Sequence, residues 1–257
     1  MFLMKTKEKK PSLMKRILWM LFPRHLKCVC CGRDLPEIKE YAFCERCLNE
    51  LPLANGNICS RCGVNLGATG SLCLGCKSNK SEFARARAPF RYVGALPKLV
   101  RGFKYDNKQY LSTVLGRYML DVLLVEGWQA DIVMPVPLFA GRKKQRGYNQ
   151  AELLAEYIAD KTKVNLSIDN LTRTKDTPTQ VKLSYKQRAE NLKGAFSLTD
   201  KTEIKGKTIL LIDDVITTTA TINECAYVLM RAGARQVFAL SAARAEQKVP
   251  MVSNAVL

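Results

Sequence analysis

The chain has 257 residues, of which 47% are hydrophobic, and this proportion is typical of a folded protein and argues against a largely disordered one. Its 41 lysines and arginines stand against 23 acids, so the formal net charge is +18. This excess favours a polyanionic partner, such as nucleic acid or a phosphorylated ligand. No run of residues approaches the roughly 20 apolar residues of a membrane-spanning helix, so we expect a cytoplasmic protein without a membrane span.

The first segment, residues 1–27, is basic and carries a short apolar run from Ile17 to Phe22. That run is shorter than the apolar core of a secretory signal, and no small-residue cleavage site follows it. We therefore predict a short amphipathic helix here. In a cytosolic protein, cysteines are metal ligands more often than disulfide partners.

Residues 28–82 are predicted to form a small zinc-binding module. Eight of the ten cysteines lie there as four C-x-x-C pairs: Cys28/Cys31, Cys44/Cys47, Cys59/Cys62 and Cys73/Cys76. Two intervening residues let both sulfurs of a pair face one tetrahedral ion, so the spacing predicts two structural Zn²⁺ sites without a catalytic role. The spacing is compatible with sequential ribbons and with a cross-braced arrangement. Gly32 and Gly63 each follow a pair, and we expect positive φ angles that turn backbone amides towards the sulfurs.

The single histidine, His25, limits the chemistry of the rest of the chain. Beyond residue 80 there is no histidine for a Ser-His-Asp or Cys-His mechanism, or for a histidine-ligated catalytic metal. Cys225 lies on the apolar stripe of a predicted helix and is expected to be buried.

Residues 83–245 are predicted to form an α/β domain, followed by a tail at 246–257. Strands are predicted at 131–135, 207–212 and 236–240, and helices at 150–159 and before Ala232-Gly233. This alternation favours a parallel sheet flanked by helices.

The most informative segment is ILLIDDVITTTAT, residues 209–221. A buried strand leads into Asp213 and Asp214, at the carboxyl edge where open α/β sheets bind ligands. A loop rich in threonine then opens a helix, and its free backbone amides make a phosphate site. Carboxylates beside a phosphate suit a ribose 5-phosphate, because they accept hydrogen bonds from the ribose hydroxyls.

A nucleotide-hydrolase interpretation of this segment fails on two points. Gly206-Lys207-Thr208 matches the end of a P-loop, but the first glycine of that motif would fall on Lys201. The tripeptide also precedes a strand, whereas a P-loop opens a helix.

The segment 213–221 resembles the PRPP-binding signature of type I phosphoribosyltransferases. ILWMLFPRHLKCVCCG (17–32), VRGFKY (100–105) and PVPLFAGRKKQRGYNQAELLA (135–155) resemble segments of the ComF/GntX family, as do spaced residues from 171 to 196. The resemblance extends from residue 13 to about 245. It implies a type I phosphoribosyltransferase fold with a hood, preceded by a double zinc ribbon, and a role in DNA uptake and natural transformation (competence).

The resemblance also implies roles for individual residues. The acid pair would bind the ribose hydroxyls, the threonine loop the 5-phosphate, and the turn at 135–137 the pyrophosphate with Mg²⁺, under a mobile hood at 173–191. The implied PRPP-binding residues are Asp213, Asp214, Thr217, Thr218, Thr219, Ala220 and Thr221. The pyrophosphate and hood candidates are Pro135, Val136, Pro137, Arg146, Arg173 and Arg188. Two residues depart from the family pattern, since Thr219 replaces a glycine of the phosphate loop and Phe139 replaces a common histidine.

The charge pattern favours single-stranded DNA as a second ligand. Basic residues beside the predicted ligand edge and one aromatic residue are the DNA-binding candidates: Arg142, Lys143, Lys144, Arg146 and Tyr148. Lys98, Arg101 and Lys104 form a further basic segment, with Tyr105 as a second stacking candidate.

Two functions follow from these patterns together with the family resemblance, and the DNA-uptake machinery with its helicase-like protein is implied by the resemblance. In the first, the protein binds PRPP, Mg²⁺ and single-stranded DNA and acts with the DNA-uptake machinery, including a separate helicase-like competence protein. In the alternative, it is an active phosphoribosyltransferase of nucleotide or nucleobase metabolism with no DNA role. The sequence leaves open whether phosphoribosyl transfer occurs and which acceptor would take part.

Overall fold

The computed structural model describes residues 27–35, 42–67, 70–176 and 190–246. The predicted N-terminal helix, Arg188 and residues 247–257 of the predicted tail lie outside this range. The chain divides into two compact units between Glu50 and Leu51. The second four-cysteine group therefore belongs to the same compact unit as the α/β sheet. The predicted domain boundaries stay a prediction, because compactness alone does not show which part folds by itself.

The smaller unit is organised around its cysteines. Helix α1 (Glu45–Asn49) begins directly after Cys44, and an antiparallel bridge joins Lys27 to Asp34 across the first cysteine knuckle. Gly32 closes that knuckle with φ +76°, as expected from its position after the C-x-x-C pair.

The larger unit alternates helices and strands. Its described helices are α2 (Leu74–Ser78), α3 (Leu96–Tyr105), α4 (Leu111–Glu126), α5 (Ala140–Arg146), α6 (Gln150–Thr162) and α7 (Ala220–Arg231). Its described strands are β1 (Arg85–Arg87), β2 (Phe90–Arg91), β3 (Ile132–Pro135), β4 (Asn165–Leu166), β5 (Leu171–Arg173), β6 (Phe196–Leu198), β7 (Thr208–Ile216) and β8 (Gln236–Arg244).

Six of these strands form one sheet in the order β1-β8-β7-β3-β4, with β2 also paired to β8. Each of these pairings is parallel. The central strand β7 buries every residue except Asp213, which is half-buried, as expected of a strand covered on both faces. The predicted parallel sheet flanked by helices is therefore confirmed.

A separate antiparallel pair, β5 with β6, lies off the main sheet, with Leu171 opposite Leu198. The predicted hood begins at the end of β5. Most of it, residues 177–189, lies outside the described residues, so the hood stays a prediction.

The strands and helices predicted for the α/β domain are present, but several are longer than predicted. Strand β7 continues past Ile212 to Ile216 because β8 pairs with it as far as Ile216↔Arg244. The acid pair therefore lies within the last part of the strand and not after its end. Cys225, on α7, is fully buried as predicted. Among the described helices, none has the length and hydropathy needed to cross a membrane.

Candidate functional site: two cysteine centres and an acidic sheet edge

Each four-cysteine group brings its sulfurs together. The ligand atoms of Cys28, Cys31, Cys44 and Cys47 lie within 4.8 Å of one another, and so do those of Cys59, Cys62, Cys73 and Cys76. The pairing is therefore sequential, which resolves the alternative left open by the spacing. Four converging thiol groups suit tetrahedral Zn²⁺ and leave no open coordination position. The chain thus carries two Cys₄ zinc-binding sites.

The second centre shows the amide contacts expected around thiolates. The amides of Cys62 and Cys73 approach Sγ of Cys59 at 3.5 and 3.4 Å, and the amide of Cys76 approaches Sγ of Cys73 at 3.4 Å. Gly63 has φ +68°, as predicted, and a Cβ there would lie 2.7 Å from the carbonyl oxygen of Ala86 in β1. Glycine is thus required both by the backbone conformation and by the close approach of the knuckle to the sheet.

The acid pair lies at the carboxyl end of β7 and contacts a lysine from α3. Nζ of Lys104 lies 2.8 Å from Oδ1 of Asp214, and both side chains are largely buried. The amide of Asp214 donates to Oδ1 of Asp213. Sequence analysis placed Lys104 among residues for DNA phosphates, and this is wrong because the side chain turns inward to the acid pair.

Charge and burial shift the titration of this group. Burial, followed by the negative charge of Asp214, raises the pKa of Asp213 to about 7. Burial acts against the charged form of Lys104, but attraction to Asp214 outweighs it, so the pKa of Lys104 is raised. The edge therefore holds one carboxylate paired with an ammonium group and one carboxyl group that exchanges its proton near neutral pH.

Basic side chains surround the acids. The charge of Arg173, on β5, acts on Asp213, and that of Arg146, on α5, acts on Lys104. Burial, followed by the positive charge of Arg142, lowers the pKa of Arg173. Two acids surrounded by bases match a ligand that carries both hydroxyl and phosphate groups.

The predicted phosphate loop connects β7 to α7. Thr217 is exposed, Thr218 and Thr221 are half-buried, and Thr219 and Ala220 are buried at the start of the helix. Thr219 has φ −77°, which any residue adopts, so the backbone here does not require the glycine that it replaces. The amide of Asn223 donates to the Thr219 carbonyl in the first turn of α7.

The predicted pyrophosphate turn lies beside the same edge. The amide of Val136 donates to the Ile212 carbonyl of β7, and Nδ2 of Asn149 donates to the Val136 carbonyl. Asn149 also caps α6 by accepting from the amide of Ala151. The turn at Pro135, Val136 and Pro137 is thus held next to β7.

A basic pocket of about 340 Å³ opens between α3 and α5. Its lining residues are Lys104, Tyr105, Asn107, Arg142, Gln145 and Arg146. The Arg146 guanidinium lies 4.9 Å from the centre of the exposed Tyr105 ring and donates to its hydroxyl. Arg142 pairs with Asp176 and Lys143 pairs with Glu152.

Tyr148 does not join this surface. Its side chain is buried, and its hydroxyl donates to the Phe103 carbonyl. The prediction that Tyr148 stacks on a base is therefore wrong, because its ring is enclosed within the domain. The aromatic residue available for stacking in the described part of the pocket is Tyr105.

Sequence analysis did not anticipate the role of Arg244. It is buried at the end of β8 and contacts both Cys62 and the start of the predicted phosphate loop. No local motif marks this residue, because its partners lie far away along the chain.

Known proteins and domain families similar to this chain agree with these features. A double zinc ribbon domain matches residues 17–77. Competence protein F of Haemophilus influenzae is 29% identical over 228 residues, covering 86% of this chain and 98% of that protein. DNA utilization protein YhgH of Salmonella typhi is 30% identical over 186 residues, covering 70% of this chain and 81% of that protein.

Among solved structures, glutamine PRPP amidotransferase of B. subtilis is similar, with a TM-score of 0.38 and 17% identity over 55% of this chain and 30% of that one. With 86% of this chain covered, the match to competence protein F includes parts of both the cysteine module and the sheet domain. On its sequence similarity to these competence and DNA utilization proteins, the chain belongs to the ComF/GntX family.

Proposed function

We propose that this protein binds PRPP with Mg²⁺ at the acid pair and single-stranded DNA at the adjoining basic surface, and that it acts in DNA uptake. The observation that carries the proposal is the position of Asp213 and Asp214 in the last part of β7, two residues before the loop at 217–219 that opens α7. The names of the relatives, Competence protein F and DNA utilization protein YhgH, support the biological setting.

The chemistry of the edge suits a phosphoribosyl ligand. Ionised carboxylates accept hydrogen bonds from ribose hydroxyls, and the amides at the start of α7 face a 5-phosphate. Carboxylate oxygens are also ligands that Mg²⁺ accepts, alongside the phosphate oxygens of the ligand. Arg146 and Arg173, whose charges act on Lys104 and Asp213, would balance the charge of the pyrophosphate group.

The pairing of Lys104 with Asp214 bears on this proposal. An ionised carboxylate has acceptor sites on two oxygens, so the contact at Oδ1 leaves Oδ2 for a ligand hydroxyl.

The test is a calorimetric titration with PRPP and Mg²⁺. We expect the wild type to bind and the double variant Asp213→Asn/Asp214→Asn to lose binding. Each charged hydrogen bond contributes roughly 1.5–3 kcal/mol, so losing both lowers the affinity by about 10²- to 10⁴-fold. A matched control is Asp160→Asn/Asp169→Asn, which removes the same charge from exposed positions. Equal losses in both double variants, or no binding by the wild type, would contradict the proposal.

DNA binding rests on a different observation, the exposed ring of Tyr105 against the half-buried Arg146 of the basic helix α5. Single-stranded nucleic acid is bound by a basic track with aromatic platforms for the bases. The alternative, a phosphoribosyltransferase of nucleotide or nucleobase metabolism, predicts turnover with a free base and no DNA binding. Assaying pyrophosphate release with the common nucleobases distinguishes the two.

A further inference from the structure

Arg244 lies between the second cysteine centre and the phosphate loop, and its side chain contacts both. It is 3% exposed. Its Nε donates to the Cys62 carbonyl at 3.0 Å, and its Nη2 lies 3.6 Å from Sγ of Cys62. Its Nη1 donates to the carbonyls of Ile216 and Thr217 at 2.9 and 2.7 Å. One guanidinium group therefore joins a zinc knuckle to the backbone that enters the phosphate loop.

We propose that Arg244 is a positioning residue that couples the second zinc centre to the phosphate loop, so that loss of zinc from this centre loosens the loop. The ligand-binding consequence of this coupling rests on the proposed function, whereas the coupling itself is a property of the fold. The coupling concerns the second centre, and the first centre, which belongs to the other compact unit, serves as its control.

The physical reason is the cost of burying a guanidinium group. A buried cation is stable only when its charge is balanced and its donors are satisfied. Zinc ligation requires thiolates, and four thiolates outweigh the charge of one Zn²⁺. The contact with Cys62 therefore places Arg244 against a negatively charged centre, while the loop carbonyls accept from its Nη1.

Two backbone hydrogen bonds at the ends of the loop allow its order to be measured. The amide of Asn223 donates to the Thr219 carbonyl at 2.7 Å, and the amide of Ala245 donates to the Ile216 carbonyl at 3.0 Å. These two hydrogen bonds close the two ends of the loop. If Arg244 holds the loop, their amide hydrogens should exchange with solvent more rapidly once its contacts are lost.

Arg87 provides a matched control. It is also a buried arginine, 8% exposed, that contacts the second ribbon, because its Nη2 donates to the Ser60 carbonyl. Its other contacts are with the Ala86 carbonyl and the Glu126 carboxylate. Arg87 thus binds the ribbon to β1 and α4 without contacting the phosphate loop.

The first experiment measures amide exchange in the zinc-loaded full-length protein. We expect Arg244→Gln to speed exchange at Asn223 and Ala245 by about tenfold, since a hydrogen bond from a charged donor is lost. Arg244→Lys keeps the charge and should restore part of the protection, and Arg87→Gln should leave both sites unchanged. Unchanged exchange in Arg244→Gln, or equal acceleration in Arg87→Gln, overturns the proposal.

The second experiment removes zinc from one centre at a time. Cys62→Ser should lose one zinc and loosen Asn223 and Ala245, whereas Cys31→Ser should lose one zinc without affecting either. Exchange in the middle of β7 shows whether the domain stays folded. If Cys62→Ser unfolds it, the comparison of Arg244→Gln with Arg87→Gln still decides the question. A folded Cys62→Ser variant with a fully protected loop overturns the coupling.

A titration with PRPP and Mg²⁺ separates this proposal from the proposed function. If the wild type binds, Arg244→Gln should bind about tenfold more weakly, and Arg87→Gln should bind normally. If the wild type does not bind but Asn223 and Ala245 respond as described, the proposed ligand is wrong and the coupling stands.

Discussion

At the scale of single residues, some neighbours of Asp213 disfavour its ionised form and others favour it. Asp213 is placed where burial and Asp214 both disfavour its ionised form. Lys104 and Arg173 partly offset that cost. Such an arrangement is typical of functional sites, where charge is held in place for a ligand and not for the stability of the fold.

The raised pKa of Asp213 predicts a pH-dependent effect of Asp213→Asn. Unfolded, this carboxyl group titrates near its ordinary value of 3.8, and folded at about 7, so the folded state binds more protons between these values. The contribution of Asp213 to stability therefore falls as the pH rises through this window. Asp213→Asn should change the melting temperature little below pH 3.8 and raise it relative to the wild type by more at pH 8 than at pH 5, by about 2–4 °C for each kcal/mol.

Asp214→Asn is the comparison. It removes the partner of a largely buried ammonium group, so it should lower the melting temperature at both pH values. If the difference in melting temperature between the wild type and Asp213→Asn is the same at pH 5 and pH 8, the pKa of Asp213 is not raised and the prediction is wrong.

At the scale of elements, the second ribbon is part of the core of the larger unit. Its cysteines and Val64 belong to the same buried cluster as Ile209 of β7 and Ala239 of β8. The amide of Ala86 in β1 donates to the Arg61 carbonyl within the knuckle. The sheet and the zinc centre therefore support one another.

This packing predicts that Gly63→Ala lowers the stability of the fold by an unusually large amount. The new Cβ would meet the Ala86 carbonyl oxygen at 2.7 Å, in addition to the strain of a positive φ. Gly127 in the same unit also has a positive φ, but open space around it, so Gly127→Ala carries only the strain, about 1–2 kcal/mol. Thermal melting in excess zinc should show a clearly larger decrease in melting temperature for Gly63→Ala than for Gly127→Ala. Equal decreases would mean that the knuckle can shift away from β1 to make room for the new Cβ.

At the scale of the whole molecule, the net charge of +18 becomes informative only through its distribution. Part of the basic content is used within the fold, as for Lys104, Arg87 and Arg244. The remaining bases on α5 are next to the exposed ring of Tyr105. The predicted DNA surface is therefore smaller than the sequence suggests, and it adjoins the acid pair.

A salt titration with a labelled oligo(dT) strand tests this surface. Replacing Lys143, Lys144 and Arg146 by Ala should reduce the slope of log affinity against log salt by up to about two units, because each phosphate contact contributes about −0.7. Replacing Lys201, Lys205 and Lys207, which precede the opposite end of β7, removes the same charge and should leave the slope nearly unchanged. Equal slopes in the two triple variants, or equal affinity for duplex DNA, would contradict a single-strand site on α5.

The sequence by itself determined the features that depend on local pattern: the four cysteine pairs, the positive φ after two knuckles, the buried strand of β7 and the acid pair before a threonine loop. These follow from spacing and periodicity, which neighbouring residues along the chain specify. Only the tertiary structure decided the sequential pairing of the cysteines, the inward position of Lys104, the burial of Tyr148 and the contacts of Arg244. Each of these depends on residues brought together from distant positions, such as Arg244 and Cys62, and no local pattern records which long-range neighbour a side chain will meet.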